Sequence, residues 1–209
     1  MIINWQGLSS FKIRSGNTLL LIDPLLRSSY EIKSSIGKFD IALLSSPFLD
    51  YDDKELAKCP YVFRGPGEYD AHDIAIQIAP SIGPDNHKNN IFSISWEGLK
   101  LVHLGALAQK GSITKFLEKI NGIDILMIPI GGKRVISASD AIELIHQIEP
   151  SIVIPMLYGV EKTKNKLDLD SSEYFIQEMG QDHEELDKLN INKSSINKDK
   201  TKLIILKPS

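Results

Sequence analysis

The sequence predicts an α/β fold, and three of its features support that prediction. Residues 41–44 and 124–130 are continuous apolar runs, which are typical of strands buried on both faces. A helical pattern over 139–148 separates the second of these runs from a third, at 151–155. Because strand, helix and strand in this order form the unit of an α/β layer, we expect a sheet with helices packed against it.

The first half of the chain is predicted to consist mostly of short strands joined by turns. The strand at 18–22 ends at Asp23-Pro24, because proline lacks an amide hydrogen and restricts the residue before it. In order, the patterns predict strands at 2–5, 11–13, 18–22 and 41–44, a short helix at 52–58, a strand at 61–63, a turn at 64–70, a strand at 74–78, a loop at 80–89, and a hairpin of 91–96 and 99–104 around Glu97-Gly98.

The second half is predicted to add helices. Helical spacing covers 113–120, Ser139 is the expected N-cap of the next helix, and a helix over 171–179 stops at Gly180. The segment 181–190 is acidic and at most amphipathic. Residues 189–191 and 202–206 are predicted to form a closing pair of strands.

Composition limits the classes of protein that fit. The 209 residues are 42% hydrophobic and 24% charged, which suits one globular domain spanning 1–209. The formal net charge of -3 gives no overall basic field for nucleic acid or anionic lipid. Cys59 is the only cysteine, so a Cys-rich metal site and an intramolecular disulfide are excluded. We see no leader segment and no apolar run long enough for a membrane, and we expect a cytoplasmic protein.

The segment after the predicted strand at 41–44 resembles the signature of a known family. In the small lactonase-like branch of the metal-dependent hydrolases of the metallo-β-lactamase fold, a strand ending in Ser or Thr is followed by His-x-His-x-Asp-His. Those residues supply ligands to one or two metal ions. In this chain the frame reads Ser46, Pro47, Phe48, Leu49, Asp50 and Tyr51, so only Asp50 matches a ligand.

Further landmarks of the family occur in the same order along residues 2–206. They are Gly7, Ser10 and Phe11, then Ile22-Asp23-Pro24, Pro66-Gly67-Glu68-Tyr69, Pro155-Met156 and Lys193-Ser194-Ser195. The resemblance implies a four-layer αββα sandwich, in which two mixed sheets lie face to face with helices outside. It also implies a site at the rim where strand ends meet.

The resemblance further implies that the metal site is degenerate, meaning that its ligand positions hold other residues. Leu8 and Leu157 stand where the family has histidines, and Ala106 stands where a carboxylate bridges the metals. A hydrolytic site needs several N or O ligands and an open position for water. Neutral Ser46 and Tyr51 are poor zinc ligands, and Phe48, Ala106 and Leu157 offer no donor atom. We therefore expect apolar packing in place of a metal.

Three residues remain weak candidates for metal binding: Asp50, His87 and His103. We expect His87 to be a solvated loop histidine and His103 to be a half-buried strand histidine. If Asp50 points into a partly apolar pocket, it needs a cation or amide partner, and Arg64, Lys133 and Arg134 are the candidates. Asp50 is then expected to be a structural anchor.

The sequence leaves three functions open. The favoured interpretation is a non-catalytic binding or interaction module without a cofactor, and the partner, protein or small molecule, and the oligomeric state stay open. The alternative is a lactonase-like or phosphoesterase-like hydrolase that holds zinc or manganese in a rebuilt site of Ser46, Asp50, Tyr51 and His103. Nucleic-acid binding is disfavoured because no aromatic residues are interleaved with the late lysines, Lys162, Lys164, Lys166, Lys193, Lys198, Lys200 and Lys202.

Overall fold

The computed structural model of the protein describes residues 1–25, 38–47, 49–51, 53–160, 168–180 and 183–209. Its strands are β1 (Ile2–Gly7), β2 (Ser10–Ser15), β3 (Thr18–Ile22), β4 (Ile41–Leu43), β5 (Tyr61–Phe63), β6 (Gly67–Ala71), β7 (Ile74–Ile82), β8 (Lys88–Trp96), β9 (Leu99–His103), β10 (Ile125–Pro129), β11 (Ile152–Met156), β12 (His183–Leu186), β13 (Leu189–Asn190) and β14 (Lys202–Leu206). Its helices are α1 (Asp53–Leu56), α2 (Thr114–Leu117), α3 (Ala138–Ile148) and α4 (Glu173–Met179), with 3-10 turns at Pro84–Asn86, Lys110–Ile113 and Lys193–Ser195.

These strands form two mixed sheets. Within the described residues, the first sheet has the order β13-β1-β2-β3-β4-β5 and the second has the order β12-β14-β11-β10-β9-β8-β7-β6. In the first sheet β3, β4 and β5 run parallel, and in the second sheet β9, β10, β11, β14 and β12 run parallel. Parallel neighbours bring several strand ends to one edge, which is where loops can meet to form a site.

The sheets face each other across the main hydrophobic core. Phe11 of the first sheet lies 5.7 Å from the ring of His103 in the second, measured between ring centroids. On the outer face of the second sheet, α3 buries Ala141, Leu144 and Ile145. On the outer face of the first sheet, Leu56 of α1 packs in a second cluster with strand residues. The order helix, sheet, sheet, helix confirms the predicted fold class.

Several local predictions are confirmed for physical reasons visible in the sequence. Glu97 and Gly98 both have positive φ, 52° and 75°, as the two central residues of a tight β-hairpin turn require. Helix α4 ends at Gly180, whose φ of 57° is the left-handed conformation that glycine adopts without strain.

Helix α3 begins earlier than predicted. Its N-cap is Ser137, whose hydroxyl accepts a hydrogen bond from the Asp140 amide at 3.1 Å, and the predicted cap Ser139 lies inside the helix. Asp140 lies three positions after Ser137, the usual reach of a capping side chain, whereas a local pattern cannot decide between two nearby serines.

The predicted closing pair of strands is wrong. Strand β13 pairs with β1 in the first sheet, while β14 lies between β11 and β12 in the second. The acidic segment before β13 contributes β12, a strand of exposed residues that the sequence pattern did not indicate. Pairing between strands far apart in sequence is a tertiary property that alternation within one segment cannot reveal.

Three other segments differ from their predicted bounds. Residues 67–70 of the predicted turn at 64–70 belong to β6, and the predicted loop at 80–89 is shortened by the ends of β7 and β8. The predicted helix at 113–120 is a 3-10 turn followed by the single-turn α2. Among the described residues, no helix is long and apolar enough to cross a membrane.

Candidate functional site

The ends of β9 and β11 and the turn between β1 and β2 meet at one rim of the sandwich. Leu8 lies in this turn, Ala106 follows β9 and Leu157 follows β11. All three belong to one buried apolar cluster. Its other members are Leu25, Leu49, Val135 and Leu169, and each of the seven side chains is at most 6% exposed. We call this group the apolar rim cluster. Phe48, the remaining apolar substitution in the expected ligand frame, lies outside the described residues.

Two of the cluster residues have an unusual backbone conformation. Leu8 has φ of 51° and Leu157 has φ of 50°, in the left-handed region that bulky residues seldom adopt. The Leu157 amide donates a hydrogen bond to the Leu8 carbonyl oxygen at 3.2 Å. A side chain in this region costs about 1–2 kcal/mol, so the surrounding packing must hold both residues in place.

The loop that carries Ala106 is held by Asn89. The Asn89 Oδ1 atom accepts a hydrogen bond from the Ala106 amide at 2.8 Å, while its Nδ2 atom donates to Ser81 Oγ at 2.7 Å and to the Leu104 carbonyl at 3.0 Å. Asn89 is 1% exposed. Its buried amide is therefore well satisfied, and it positions the loop rather than a ligand.

Gly105 lets this loop approach β8. It has φ of 57°, and a Cβ atom there would lie 2.5 Å from Asn89 Oδ1 and 2.6 Å from the Asn90 carbonyl oxygen. These distances are shorter than van der Waals contact permits. Glycine is thus required for the close packing that places Ala106 in the rim cluster.

The residues at this rim do not fit a metal ion. Leucine, valine and alanine side chains offer no N, O or S atom, whereas zinc requires several such ligands. In the part of the chain that the structure describes, no group of three or more His, Cys, Asp or Glu side chains is placed to hold an ion. Metal binding is disfavoured here because the side chains at the rim lack atoms that can coordinate an ion.

Asp23 is the buried carboxylate next to this cluster. It is 0% exposed and accepts hydrogen bonds from the Ser45 amide at 2.7 Å and from the Ser45 hydroxyl at 2.5 Å. Burial raises the pKa of Asp23 above its ordinary value of 3.8, and the bonds from Ser45 oppose that rise. In the sequence this acid stands between an apolar strand and Pro24, a pattern that by itself indicates only the end of a strand.

Tyr51 joins Asp23 to the loop after β4. Its phenol lies 3.0 Å from Asp23 Oδ1 and 2.8 Å from the Ser46 carbonyl oxygen, and it accepts a hydrogen bond from the Ser46 amide at 3.0 Å. Burial, and then the negative charge of Asp23, raise the pKa of Tyr51 well above 10.0. A neutral phenol with these partners is a structural group and a poor ligand for a cation.

Asp50 lies elsewhere than predicted. Its side chain is exposed, so it does not point into a partly apolar pocket. The buried acid beside the rim is Asp23, whose hydrogen-bond partners are Ser45 and Tyr51. Two of its three proposed partners bind other acids: Lys133 lies 2.6 Å from Asp168, and Arg134 lies 2.9 Å from Asp85. An exposed carboxylate keeps part of its hydration, so burial alone gives no reason to expect an anchor at Asp50, and that role stays a prediction.

The two candidate histidines are in separate places. His103 is fully buried, more than predicted, and its Nδ1 accepts from the Gly105 amide at 3.0 Å while its Nε2 donates to the Ser9 carbonyl at 3.0 Å. Burial lowers the pKa of His103 from 6.5 to about 4, so the ring is neutral at pH 7. His87 is exposed, with Nδ1 3.1 Å from the Pro84 carbonyl. The structure does not bring either histidine together with Asp50.

A cavity of about 560 Å³ adjoins the rim cluster. Leu49 and Tyr51 belong to its wall and also pack in or against the cluster. Apart from these two, the lining consists of Leu44, Ser46, Pro47, Arg64, Gly65, Pro66, Pro80, Lys88, Asn89 and Asn90. Its volume lies within the usual range of small-molecule sites, and most of its wall is apolar.

The late lysines do not form one free basic face. Lys193 lies 2.7 Å from Asp124, and Lys202 lies 2.7 Å from Glu184. Residues 162, 164 and 166 lie outside the described part of the chain. The paired lysines have acidic neighbours that oppose binding to a phosphate backbone.

Comparisons with known proteins agree with this fold. A UPF0173 protein of Pyrococcus furiosus is 27% identical over 186 residues, which are 76% of this chain and 84% of that protein. A solved structure of a metallo-beta-lactamase superfamily protein from Thermotoga maritima superposes with a TM-score of 0.76 at 21% identity, covering 99% of each chain. Igni18, a metallo hydrolase from Ignicoccus hospitalis, superposes with a TM-score of 0.65 at 15% identity, covering 86% of this chain and 90% of its own.

The sequence profile of the family described as beta-lactamase superfamily domain matches residues 2–157. That span includes both strand ends and loops of the rim, and it is more than half of the 209 residues. The chain belongs to the beta-lactamase superfamily and has the metallo-β-lactamase fold.

Proposed function

We propose that this protein is a member of the superfamily that binds a ligand without a resident metal and does not hydrolyse it. The observation that carries the proposal is the apolar rim cluster, in which Leu8, Ala106 and Leu157 occupy the expected ligand positions. A cluster of this kind stabilises the rim through burial, at about 1.5–3 kcal/mol for each fully buried large aliphatic side chain. Packing then serves the structural role that an ion serves in a metal-containing protein.

The neighbouring cavity gives the proposal a place for the ligand. It remains open beside the rim cluster, with a volume of about 560 Å³. Loss of the metal thus leaves a pocket with a rigid apolar wall. This combination supports binding more directly than it supports a hydrolytic reaction.

A metal-dependent hydrolase with a rebuilt site is the second candidate. It is favoured by the fold shared with Igni18, which is named as a metallo hydrolase. The residues available for such a site weigh against it, because His103 has both ring nitrogens bonded to the backbone and Tyr51 is bonded to Asp23 and Ser46. The remaining candidates, Ser46 and Asp50, offer too few ligands for zinc or manganese.

Metal content tests the proposal directly. Untagged protein is equilibrated with zinc, manganese and iron, freed of unbound ions, and analysed for elements, and its melting temperature is measured with and without a chelator. We expect no stoichiometric metal and the same melting temperature in both conditions. One bound ion per chain together with a lower melting temperature in chelator contradicts the proposal.

Two variants identify the ligands if an ion is found. Asp50→Ala and His103→Gln each remove one group of the rebuilt site, and His146→Gln is the matched control at an exposed position of α3. Under the rebuilt-site alternative, the first two variants lose the metal and the control keeps it. Under our proposal, all three proteins are as free of metal as the parent.

A further inference from the structure

We infer that the cavity beside the rim cluster binds a small anion with an apolar body, such as an aromatic carboxylate or phosphate ester. This inference rests on the proposed function, because it takes the cavity as a binding site without a metal. It goes beyond that function by naming the chemical class of the ligand. Three properties of the cavity support it: the sign of its charges, the nature of its wall and the state of its polar groups.

The charged side chains that line the cavity are both cationic. They are Arg64 and Lys88, and no described carboxylate lines the same space. Both side chains are exposed, and neither forms an ion pair with a described residue. Two unpaired cations on one apolar cavity attract an anion, and an arginine presents two parallel N–H groups that match a carboxylate or a phosphate.

The backbone below Arg64 is fixed in place. Asn90 Nδ2 donates to the Arg64 carbonyl oxygen and to the Leu44 carbonyl oxygen, each at 3.0 Å. The Asn90 amide donates to the Ser45 carbonyl oxygen at 2.7 Å. One asparagine therefore ties the segment that carries Arg64 to both sheets, so the cation is anchored at its base before a ligand arrives.

The apolar part of the wall suits an aromatic or aliphatic group. It is formed by Leu44, Pro47, Leu49, Pro66 and Pro80. Leu44 and Leu49 are 4% and 3% exposed, and they lose little side-chain freedom on binding because they are already packed. A flat hydrophobic body can cover this wall while its acidic group remains near the two cations.

Two other polar side chains on the wall, those of Asn89 and Tyr51, are already hydrogen-bonded. Asn89 bonds to Ser81, Leu104 and Ala106, and Tyr51 bonds to Asp23 and Ser46. They are poor partners for a neutral polar ligand, since binding one would break a buried hydrogen bond. Arg64 and Lys88, the charged side chains of the wall, therefore select the head group of the ligand.

Naphthalene compounds test this inference with one apolar body and different head groups. Isothermal titration calorimetry compares 1-naphthoate, 1-naphthyl phosphate and neutral 1-naphthol, and the two acids distinguish a carboxylate from a phosphate source. We expect at least one acid to bind tenfold or more tightly than 1-naphthol. Equal affinity for all three compounds, or no binding of either acid, overturns the inference.

Variants locate the site. Arg64→Gln combined with Lys88→Gln keeps the side chains near their original length and removes both charges, and Lys12→Gln is the matched control at a separate surface cleft. The double variant should lose tenfold or more in affinity for the preferred acid and keep its affinity for 1-naphthol, whereas the control should be unchanged. An equal loss in the control variant assigns the effect to general surface charge and overturns the inference.

The same compounds separate this inference from the proposed function. Hydrolysis of 1-naphthyl phosphate releases 1-naphthol, which is fluorescent, together with inorganic phosphate. Metal-dependent release refutes the non-catalytic function even if the acids bind as expected. Binding of neither acid by a metal-free, inactive protein refutes the ligand class and leaves the non-catalytic function standing.

Discussion

The Leu157 amide donates a hydrogen bond to the Leu8 carbonyl oxygen at 3.2 Å, and both leucines have φ near 50°. Their side chains lie in the same apolar cluster as Ala106. Two strained leucines that face each other across a rim are uncommon, because left-handed backbone disfavours large side chains. Strain of this type persists where the surrounding packing holds it, so replacing Leu157 should release it.

An alanine variant is usually more stable than the glycine variant at the same position, and strain at Leu157 should remove or reverse that difference. Leu157→Ala and Leu157→Gly both lose buried apolar area, but glycine releases about 1–2 kcal/mol of backbone strain that alanine keeps. We expect the glycine variant to be at least as stable as the alanine variant in urea unfolding. Leu101 is the control: it is fully buried in β9 and has no positive φ, and there the alanine variant should be the more stable by about 0.5–1 kcal/mol. If the alanine variant were the more stable one at both sites, Leu157 would not be strained.

Ala106→Asp should destabilise the protein rather than rebuild a site. It places a carboxylate among Leu8, Val135 and Leu157 with no cation in the cluster, and an unpaired buried charge costs about 3 kcal/mol or more. Ala106→Asn introduces a side chain of nearly the same shape as aspartate but without the charge. Comparing the two variants therefore separates the cost of the charge from the cost of the larger side chain. The difference between the variants should grow as pH rises from 4 to 7, because burial favours the protonated acid. Rescue of the aspartate variant by zinc would contradict the non-metal interpretation.

Asp23 should favour the folded protein more at low pH than at neutral pH. Its pKa is raised on folding, so the folded state binds a proton more tightly than the unfolded state does. That contribution is fully present below 3.8 and is lost as pH rises through the raised value. Urea unfolding from pH 3.5 to 7 should therefore show that Asp23→Asn costs more free energy at the acidic end. A larger cost at pH 7 would mean that hydrogen bonds from Ser45 outweigh burial.

His103 should have the opposite pH dependence. Its pKa in the folded state is about 4, below the ordinary 6.5, so the unfolded chain binds more protons between these values and stability falls as pH decreases through them. The cost of His103→Gln should be greatest above pH 6.5 and should shrink by roughly 3 kcal/mol toward pH 4, since one pKa unit corresponds to 1.36 kcal/mol. The exposed residue His87 provides the control variant, His87→Gln, which should change stability little at any pH. An NMR titration of the ring that gives a pKa near 6.5 would contradict this prediction.

Strand and helix positions were largely accessible from the sequence because they depend on local patterns. The apolar runs at 41–44 and 124–130 correspond to β4 and β10, and Gly98 and Gly180 occur where positive φ is needed. The exposed strand β12 and the separation of β13 from β14 were not accessible, because they depend on pairing between segments: β13 pairs with β1 in the first sheet, and β14 lies between β11 and β12 in the second.

The sequence by itself determined the family resemblance and the absence of ligand side chains at Leu8, Ala106 and Leu157, since side-chain chemistry can be read without coordinates. Only the tertiary structure decided that these three residues lie in one cluster, that Asp23 rather than Asp50 is the buried acid, and that Arg64 and Lys88 share a cavity. The physical reason is that burial and charge proximity arise from packing between distant segments. A carboxylate in a polar loop and one behind a buried strand look alike until the strands are assembled.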